Sequence, residues 1–250
     1  MKLNDLNQYQ RYYLDGFMKG TFNDTQCLSS LKNALNDIVN ENLKDGFSLI
    51  EKYTNTKDLR PEAYQYDKSF IDILFENKIP DLIFSLTGKE LTLNHVQVRV
   101  STSESSYMPW HRDSYIRDED VIGCVPPAHK LIFYPVINKP EPKLTLVKGS
   151  HLCTFQNQKS DQFVLPGCSV YDAEIMKISE GYDYVSSSNE FLFFNTGMIH
   201  NAIPDQPGSS SIRIIYSFIE RFQFENLYAS KPGHLLLNNE YENTKAAIEL

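Results

Sequence analysis

The chain changes character after Gly88, and that change restricts the fold more than any other feature. From there on, short runs rich in β-branched and aromatic residues are separated by Pro, Gly, Asn and Ser. We predict strands over Leu91–Ser101, 107–111, 130–138, 144–147, 163–165, Glu190–Asn195 and 211–221. Many short strands without intervening helices are typical of a β-sandwich or jelly roll.

The first 88 residues predict helices instead. Thr25 is a candidate N-cap for a helix whose apolar residues recur at helical spacing; they are Leu28, Leu31, Leu35, Ile38 and Val39. Ser69–Glu76 and residues 80–86 predict two shorter helices, the second beginning near Pro80 and ending at Gly88. We therefore expect one domain over residues 1–250, with a mainly helical buttress (1–88), a jelly-roll core (89–222) and a C-terminal extension (223–250).

Composition excludes several classes of function. A chain of 250 residues can form one large β domain, and its formal net charge of -8 argues against nucleic acid as a partner. No apolar run is long enough for a signal peptide or a membrane span. The four cysteines have no metal-ligand spacing, as expected of free thiols in a reducing compartment. We expect a cytoplasmic protein with no nucleic-acid or membrane partner, and the sequence leaves its oligomeric state open.

A candidate metal site begins with His111-Arg112-Asp113. Side chains two residues apart on a strand point to the same face, so His111 and Asp113 can reach one metal ion. His200 follows an apolar run and a Gly turn, which places it at the edge of a strand. Two histidines and one carboxylate form the ligand set of non-haem Fe(II) oxygenases. The alternative is that each histidine is an ordinary buried or surface residue.

Arg213 stands among apolar residues in the last predicted strand. A buried arginine is unfavourable unless an anion meets it. That anion is either an Asp or Glu elsewhere in the fold or a carboxylate of a ligand held by two parallel hydrogen bonds. Ser217 lies on the same strand face as Arg213 and can offer a hydroxyl group to the same ligand.

Residues 96–101 alternate strictly between apolar and polar side chains. If the valines pack in the core, Gln97, Arg99 and Ser101 face solvent on the ordinary interpretation. In a barrel whose lumen is the active site, the same polar face lines the pocket instead. Gln97 is then a candidate contact for a cosubstrate, and Arg99 for a substrate.

Three stretches together resemble the phytanoyl-CoA dioxygenase (PhyH-like) family of Fe(II)/2-oxoglutarate-dependent oxygenases. They are Met108-Pro-Trp-His-Arg-Asp113, Leu144-Thr-Leu-Val-Lys-Gly-Ser-His151, and Phe194-Asn-Thr-Gly-Met-Ile-His200 followed by Arg213. The likeness covers about residues 90–222. It implies a double-stranded β-helix core of the cupin-like jelly-roll type, with helices packed outside.

The resemblance also implies roles for single residues. His111, Asp113 and His200 would be the iron ligands, and Arg213 would hold the far carboxylate of 2-oxoglutarate while O2 takes a remaining position. Because related halogenases lack the carboxylate, Asp113 favours hydroxylation or desaturation. The chain departs from the family pattern at Lys148 and Lys143, and at Ile215, where related oxygenases have the serine of an Arg-x-Ser pattern.

The expected activity is hydroxylation of a small-molecule metabolite, with release of succinate and CO2. Tyr107, Trp110 and Tyr115 are candidates for the substrate pocket wall, within or beside a long loop over residues 114–128. Arg99, Arg112 and Arg117 are candidates for recognising an anionic group. Two alternatives stay open: a cupin-type metal-dependent isomerase or lyase, and a non-enzymatic module that binds 2-oxo acids.

Overall fold

The computed structural model describes residues 7–45, 48–50, 56–59, 67–101, 110–113, 128–136, 143–152, 168–170, 181–184, 187–203 and 211–220. Within these ranges the helices are α1 (Gln8–Asp15), α2 (Thr25–Asp45), α3 (Ser69–Glu76) and α4 (Ile79–Thr87), with a 3-10 turn over Ser150–Leu152. All four helices lie in the first third of the chain, where helices were expected.

Strands make up most of the remaining described residues. They are β1 (Phe17–Thr21), β2 (Ser48–Ile50), β3 (Thr56–Leu59), β4 (Leu91–Ser101), β5 (His111–Asp113), β6 (His129–Val136), β7 (Lys143–Val147), β8 (Cys168–Val170), β9 (Gly181–Tyr184), β10 (Glu190–Asn195), β11 (His200–Ile203) and β12 (Ser211–Glu220).

The strands form two sheets. The larger has seven strands in the order β1-β10-β6-β12-β4-β3-β2, and the smaller has five in the order β8-β5-β11-β7-β9. Neighbouring strands are antiparallel in both sheets. The predicted fold class is confirmed: the core is a jelly roll of the double-stranded β-helix type, with helices outside it.

The seven-stranded sheet has two buried faces, because helices cover one face and the smaller sheet covers the other. On β12, Ile214 and Tyr216 belong to the large apolar cluster shared with the helices, whereas Ile215 packs between the sheets. On β10, Phe193 and Phe194 divide between the two clusters in the same way. The alternation of side chains therefore gives each strand a helix side and an inter-sheet side.

The strongest sequence patterns coincide with the observed elements. The strands Leu91–Ser101 and Glu190–Asn195 and the helix Ser69–Glu76 have the predicted bounds. The predicted strand residues 107–109, 137–138 and 163–165 lie outside the described residues. Among the described residues, no helix combines the length and the apolar character needed to cross a membrane.

The N-terminal third also contains structure that the patterns did not predict. Asp24, not Thr25, is the N-cap of α2, since its Oδ1 accepts a hydrogen bond of 2.8 Å from the Cys27 N–H. Helix α1 begins with a capping box between Asn7 and Gln10. Strand β1 follows α1 and pairs with β10 at the edge of the larger sheet. This part of the chain is therefore helical with sheet-forming segments between its helices.

Candidate metal centre

The three candidate metal ligands meet at neighbouring strands of the smaller sheet. Strands β5 and β11 are adjacent, and His111 is directly opposite His200 in their antiparallel register. The two imidazole ring centroids are 4.2 Å apart. Asp113 follows His111 by two residues, and His111 and His200 are both buried. The register thus brings together residues that are far apart in the sequence.

Each oxygen of the Asp113 carboxylate lies near one of the histidines. Oδ1 is 3.6 Å from His111 Nε2, and Oδ2 is 3.7 Å from His200 Nε2. One donor atom from each residue lies within 4.8 Å of the other two. A single ion about 2.1 Å from each of two donors spans up to about 4.2 Å, so it can bridge the separations of 3.6 and 3.7 Å between Asp113 and the histidines.

The protonation states at this centre suit metal binding. Burial, with a smaller contribution from the neighbouring His111, lowers the pKa of His200 to about 3. Burial by itself raises the pKa of Asp113, but the Lys130 ammonium, with smaller contributions from His200 and His111, holds it well below its ordinary value. At neutral pH, His200 is therefore neutral and Asp113 is ionised, as metal ligation requires.

The turn before His200 is held by a network of hydrogen bonds. His200 Nδ1 donates to the Met198 carbonyl oxygen over 2.8 Å, which leaves Nε2 directed at the other ligands. The Ser150 hydroxyl accepts from the Ile199 N–H and donates to the Val147 carbonyl oxygen. The Gly-Ser-His stretch of the family resemblance thus has a structural role here, as it supports the His200 turn.

The end of α1 packs against the same turn. Gly16 is the C-cap of α1 and has a φ of 85°. Met198 packs so closely against it that an added Cβ would lie 2.5 Å from Met198 Sδ. The Gly16 carbonyl oxygen accepts from Asn195 N, and the Asp15 carbonyl oxygen accepts from Gly149 N. The N-terminal region is therefore bound directly to the metal-ligand turn.

Lys130 is the residue at this centre that sequence reasoning missed. It lies on the inter-sheet side of β6, and its Nζ is 2.5 Å from Asp113 Oδ2. A signal was available, because Lys130 precedes the buried run Leu131 to Tyr134. Like Arg213, Lys130 is a charged residue in an apolar strand and needs an anionic partner when it is buried.

The three candidate cosubstrate contacts share the inter-sheet side of the larger sheet. Gln97 and Ser217 are buried, and Arg213 is partly exposed. Ser217 is aligned with Lys130, near the metal ligands, whereas Arg213 lies four residues away along β12. That spacing separates the Arg213 and Ser217 backbones by about 13 Å. The lumen interpretation of the polar face of β4 agrees with the burial of Gln97.

The substrate candidates are dispersed. Arg99 is directly opposite Arg213 in the register of β4 and β12, on the inter-sheet side. Trp110 packs against Val147 and Ile199, in a small cluster separate from the inter-sheet one. The remaining candidates, Tyr107, Tyr115 and Arg117, lie outside the described residues.

Arg112 and two further histidines have structural contacts. An Arg112 Nη donates to the Ser150 carbonyl oxygen, so this guanidinium supports the turn. His129 accepts or donates a hydrogen bond of 2.6 Å with the Tyr12 hydroxyl, and His151 Nε2 is 2.8 Å from the Tyr13 carbonyl oxygen. These contacts give His129 and His151 structural roles in joining α1 to the sheets.

The chain has the fold of known non-haem iron enzymes. No family model and no curated protein sequence matches it. Among solved structures, the non-heme alpha ketoglutarate dependent epimerase SnoN from nogalamycin biosynthesis has a TM-score of 0.63 at 16% identity, over 84% of this chain and 80% of that one. The carbocyclase SnoK from the same biosynthesis has a TM-score of 0.63 at 12% identity, over 87% of this chain and 85% of that one.

A third solved structure contains ligands. HygX from Streptomyces hygroscopicus, with nickel, 2-oxoglutarate and hygromycin B bound, has a TM-score of 0.58 at 12% identity, over 84% of this chain and 85% of that one. At such low identities the likeness shows the fold alone. The chemistry of this chain has to be argued from its own residues.

Proposed function

We propose that this chain is an Fe(II)- and 2-oxoglutarate-dependent dioxygenase of the phytanoyl-CoA dioxygenase family that hydroxylates a small-molecule metabolite. The observation that carries the proposal is the group formed between the two sheets by two buried histidines, His111 and His200, and the partly buried Asp113. Two imidazoles and one carboxylate match the preferences of Fe(II) and leave further coordination positions for small ligands.

Bound Fe(II) would supply O2 activation coupled to oxidative decarboxylation of 2-oxoglutarate, giving succinate and CO2. The chain's own contribution is to bind and orient the reactants. Arg213 would hold the far carboxylate of 2-oxoglutarate through its planar guanidinium. Ser217, beside Lys130, would contact the end of the cosubstrate nearer the metal, and Gln97 would contact it from β4.

Positive charge on the larger sheet supports a dianionic cosubstrate. Arg99 and Arg213 are cross-strand neighbours on the inter-sheet side, an arrangement of like charges that an anion between them stabilises. The apolar walls, which include Phe194 beside His200, limit the access of water to the reacting atoms. Both features favour a site for a small organic anion.

The substrate and the outcome of the reaction belong to the proposal. SnoN is described as an epimerase and SnoK as a carbocyclase, so enzymes with this fold catalyse more than hydroxylation. We propose hydroxylation because the carboxylate ligand is present at Asp113. The proposed substrate pocket includes Arg99 and Trp110, together with Tyr107, Tyr115 and Arg117. We also propose a cytoplasmic location, with a small-molecule substrate and no nucleic-acid or membrane partner.

Turnover of 2-oxoglutarate without added substrate tests the proposal. Iron-loaded wild type should form succinate in air, and protein without metal should form none. Arg213→Gln should raise the KM for 2-oxoglutarate by about 10- to 100-fold, since a charged hydrogen-bonding partner contributes about 1.5–3 kcal/mol. Arg11→Gln, on the exposed side of α1, is the matched control and should leave KM unchanged.

The same assay separates the alternatives. A binding module would bind 2-oxoglutarate but form no succinate. An isomerase or lyase with the same metal ligands would neither bind 2-oxoglutarate tightly nor consume it. Absence of succinate from protein with confirmed iron content would contradict the oxygenase proposal.

A further inference from the structure

Lys130 forms an ion pair with the candidate ligand Asp113. Its Nζ lies 2.5 Å from Asp113 Oδ2, and the two side chains are only 17% and 13% exposed. Lys130 is aligned with Phe194 of β10 and Ser217 of β12, so its backbone position is determined from both sides. A charged pair this far from solvent requires close geometry to be tolerated.

The two oxygens of Asp113 have different surroundings as a result. Each oxygen lies near one histidine, since Oδ1 is 3.6 Å from His111 Nε2 and Oδ2 is 3.7 Å from His200 Nε2, but Oδ2 also contacts the Lys130 ammonium. An ammonium has three donors and no acceptor, so it cannot bind a metal, but it can occupy lone pairs of Oδ2. A carboxylate can otherwise bind a metal through one oxygen or through both.

We propose that Lys130 is a positioning residue that keeps Asp113 a one-oxygen metal ligand. The ammonium holds Oδ2, and Oδ1 is left for the metal. His111, Asp113 and His200 would then each hold the metal through one atom and would leave three positions open for a 2-oxo acid and O2. Binding through both oxygens of Asp113 would remove one of those positions.

This role rests on the proposed function, which supplies the need for three open positions. It differs from that of an ion pair that only stabilises the fold. The Lys130 charge lies next to the metal position and repels a cation, so its removal takes away a repulsion on the bound metal. Removing the charge should leave metal affinity equal or higher and should weaken the binding of a 2-oxo acid. A purely structural ion pair predicts loss of both.

The test uses the full chain with Co(II), which reports its coordination number in its visible spectrum. Lys130→Met removes the charge and keeps the length of the side chain, and Lys130→Arg restores a donor to Oδ2. Lys19→Met is the matched control, since Lys19 forms an ion pair of 3.2 Å with Glu190, away from the centre. Calorimetry measures the Kd for Co(II), and then the Kd for 2-oxoglutarate with Co(II) bound.

We expect Lys130→Met to bind Co(II) at least as tightly as wild type and 2-oxoglutarate about 10-fold or more weakly, because the second oxygen of Asp113 then competes with the 2-oxo acid for a coordination position. Its Co(II) spectrum should change before 2-oxoglutarate is added. Lys130→Arg should recover most of the 2-oxoglutarate affinity, and Lys19→Met should match wild type. If the methionine variant does not fold, Lys130→Gln takes its place.

Two results would overturn the role of Lys130. One is a parallel loss of Co(II) and 2-oxoglutarate affinity, which would make the pair merely structural. The other is an unchanged affinity for both ligands. Failure of the proposed function itself has a different signature, because wild type would then bind Co(II) without any affinity for 2-oxoglutarate.

Discussion

The helix side and the inter-sheet side of the molecule each contain a deeply buried histidine. His129 faces the helices and His200 faces the space between the sheets, and each is 4% exposed. Burial lowers the pKa of both to about 3. By burial and pKa alone, the two residues cannot be distinguished.

Their neighbours distinguish them. His129 stacks on Phe193 at 5.5 Å between ring centroids and shares a hydrogen bond with the Tyr12 hydroxyl. His200 has the Asp113 carboxylate and a second imidazole, His111, within reach of the same ion. A perturbed pKa therefore identifies a functional site only where several donor atoms converge. On the helix side, the same perturbation comes from packing.

Removal of His200 should affect mainly the affinity for Co(II), whereas removal of His129 should affect mainly the stability of the fold. His200→Ala should lower the affinity for Co(II) by about 100-fold or more, because even the partners that orient metal ligands contribute 10- to 100-fold. His129→Ala should leave that affinity within about twofold but reduce the free energy of unfolding by about 2–4 kcal/mol. Calorimetry and urea unfolding measure the two quantities. Equal losses of Co(II) affinity would remove the distinction between the regions.

A smaller effect should follow where the N-terminal region meets the metal-ligand turn. Gly16→Ala places a Cβ 2.5 Å from Met198 Sδ at a φ of 85°. We expect a loss of about 1–3 kcal/mol in stability and a fall of less than 10-fold in Co(II) affinity, since the Met198 carbonyl orients His200. Thermal unfolding and calorimetry measure these changes.

Gly88→Ala is the control for that variant. Gly88 also has a positive φ, 66°, but the nearest atom to an added Cβ is 3.7 Å away. It should show the cost of backbone strain, about 1 kcal/mol, with no change in Co(II) affinity. Identical behaviour of the two variants would mean that the contact with Met198 has no influence on the metal centre.

The smallest effect concerns pH. The pKa of His129 is about 3 in the folded protein, against about 6.5 in an unfolded chain. Between these values the unfolded state binds a proton that the folded state does not, so stability falls as the pH falls. From pH 7 to 5.5, His129 should contribute a loss of about 1 kcal/mol.

Urea unfolding of wild type and His129→Phe at these two pH values checks this expectation. The variant should lose less stability than wild type on acidification, and the remaining loss should include the contribution of His200. The same pH dependence in both proteins would show that His129 is not held neutral by its surroundings.

Periodic patterns made much of the fold predictable. Strand β4 alternates valines with polar residues over 96–101 and is rich in β-branched residues, and its bounds Leu91–Ser101 match the prediction. Strand β1 was not predicted, since Phe17–Thr21 is short, contains a glycine and is stabilised by pairing with the distant β10. In α1 only Tyr12 is buried, so the helix lacks the repeated apolar residues that would predict it from the sequence. Helices and strands that are stabilised by residues distant in the sequence have no recognisable periodic pattern of their own.

The residues of the candidate metal centre also differ in how far the sequence could predict them. His111 and Asp113 could be paired from their spacing, and the structure brings them to His200 through the strand register. Lys130 could have been recognised as a charge beside an apolar run, but its ion pair links β6 to β5 across residues 114–127, so no local pattern indicates Asp113 as its partner. Ile215, which replaces the expected serine beside Arg213, packs in the inter-sheet cluster. Residue type identifies candidates, but only the fold shows which of them meet.

The most direct test of the account is spectroscopic. Fe(II) and then 2-oxoglutarate are added to the protein without oxygen, and visible absorption is recorded. We predict a metal-to-ligand charge-transfer band that appears only when both are present and saturates at one 2-oxoglutarate per iron. The band should be absent from the double variant Asp113→Ala with His200→Ala. Absence of the band from iron-loaded wild type, or its persistence in the double variant, would contradict the account.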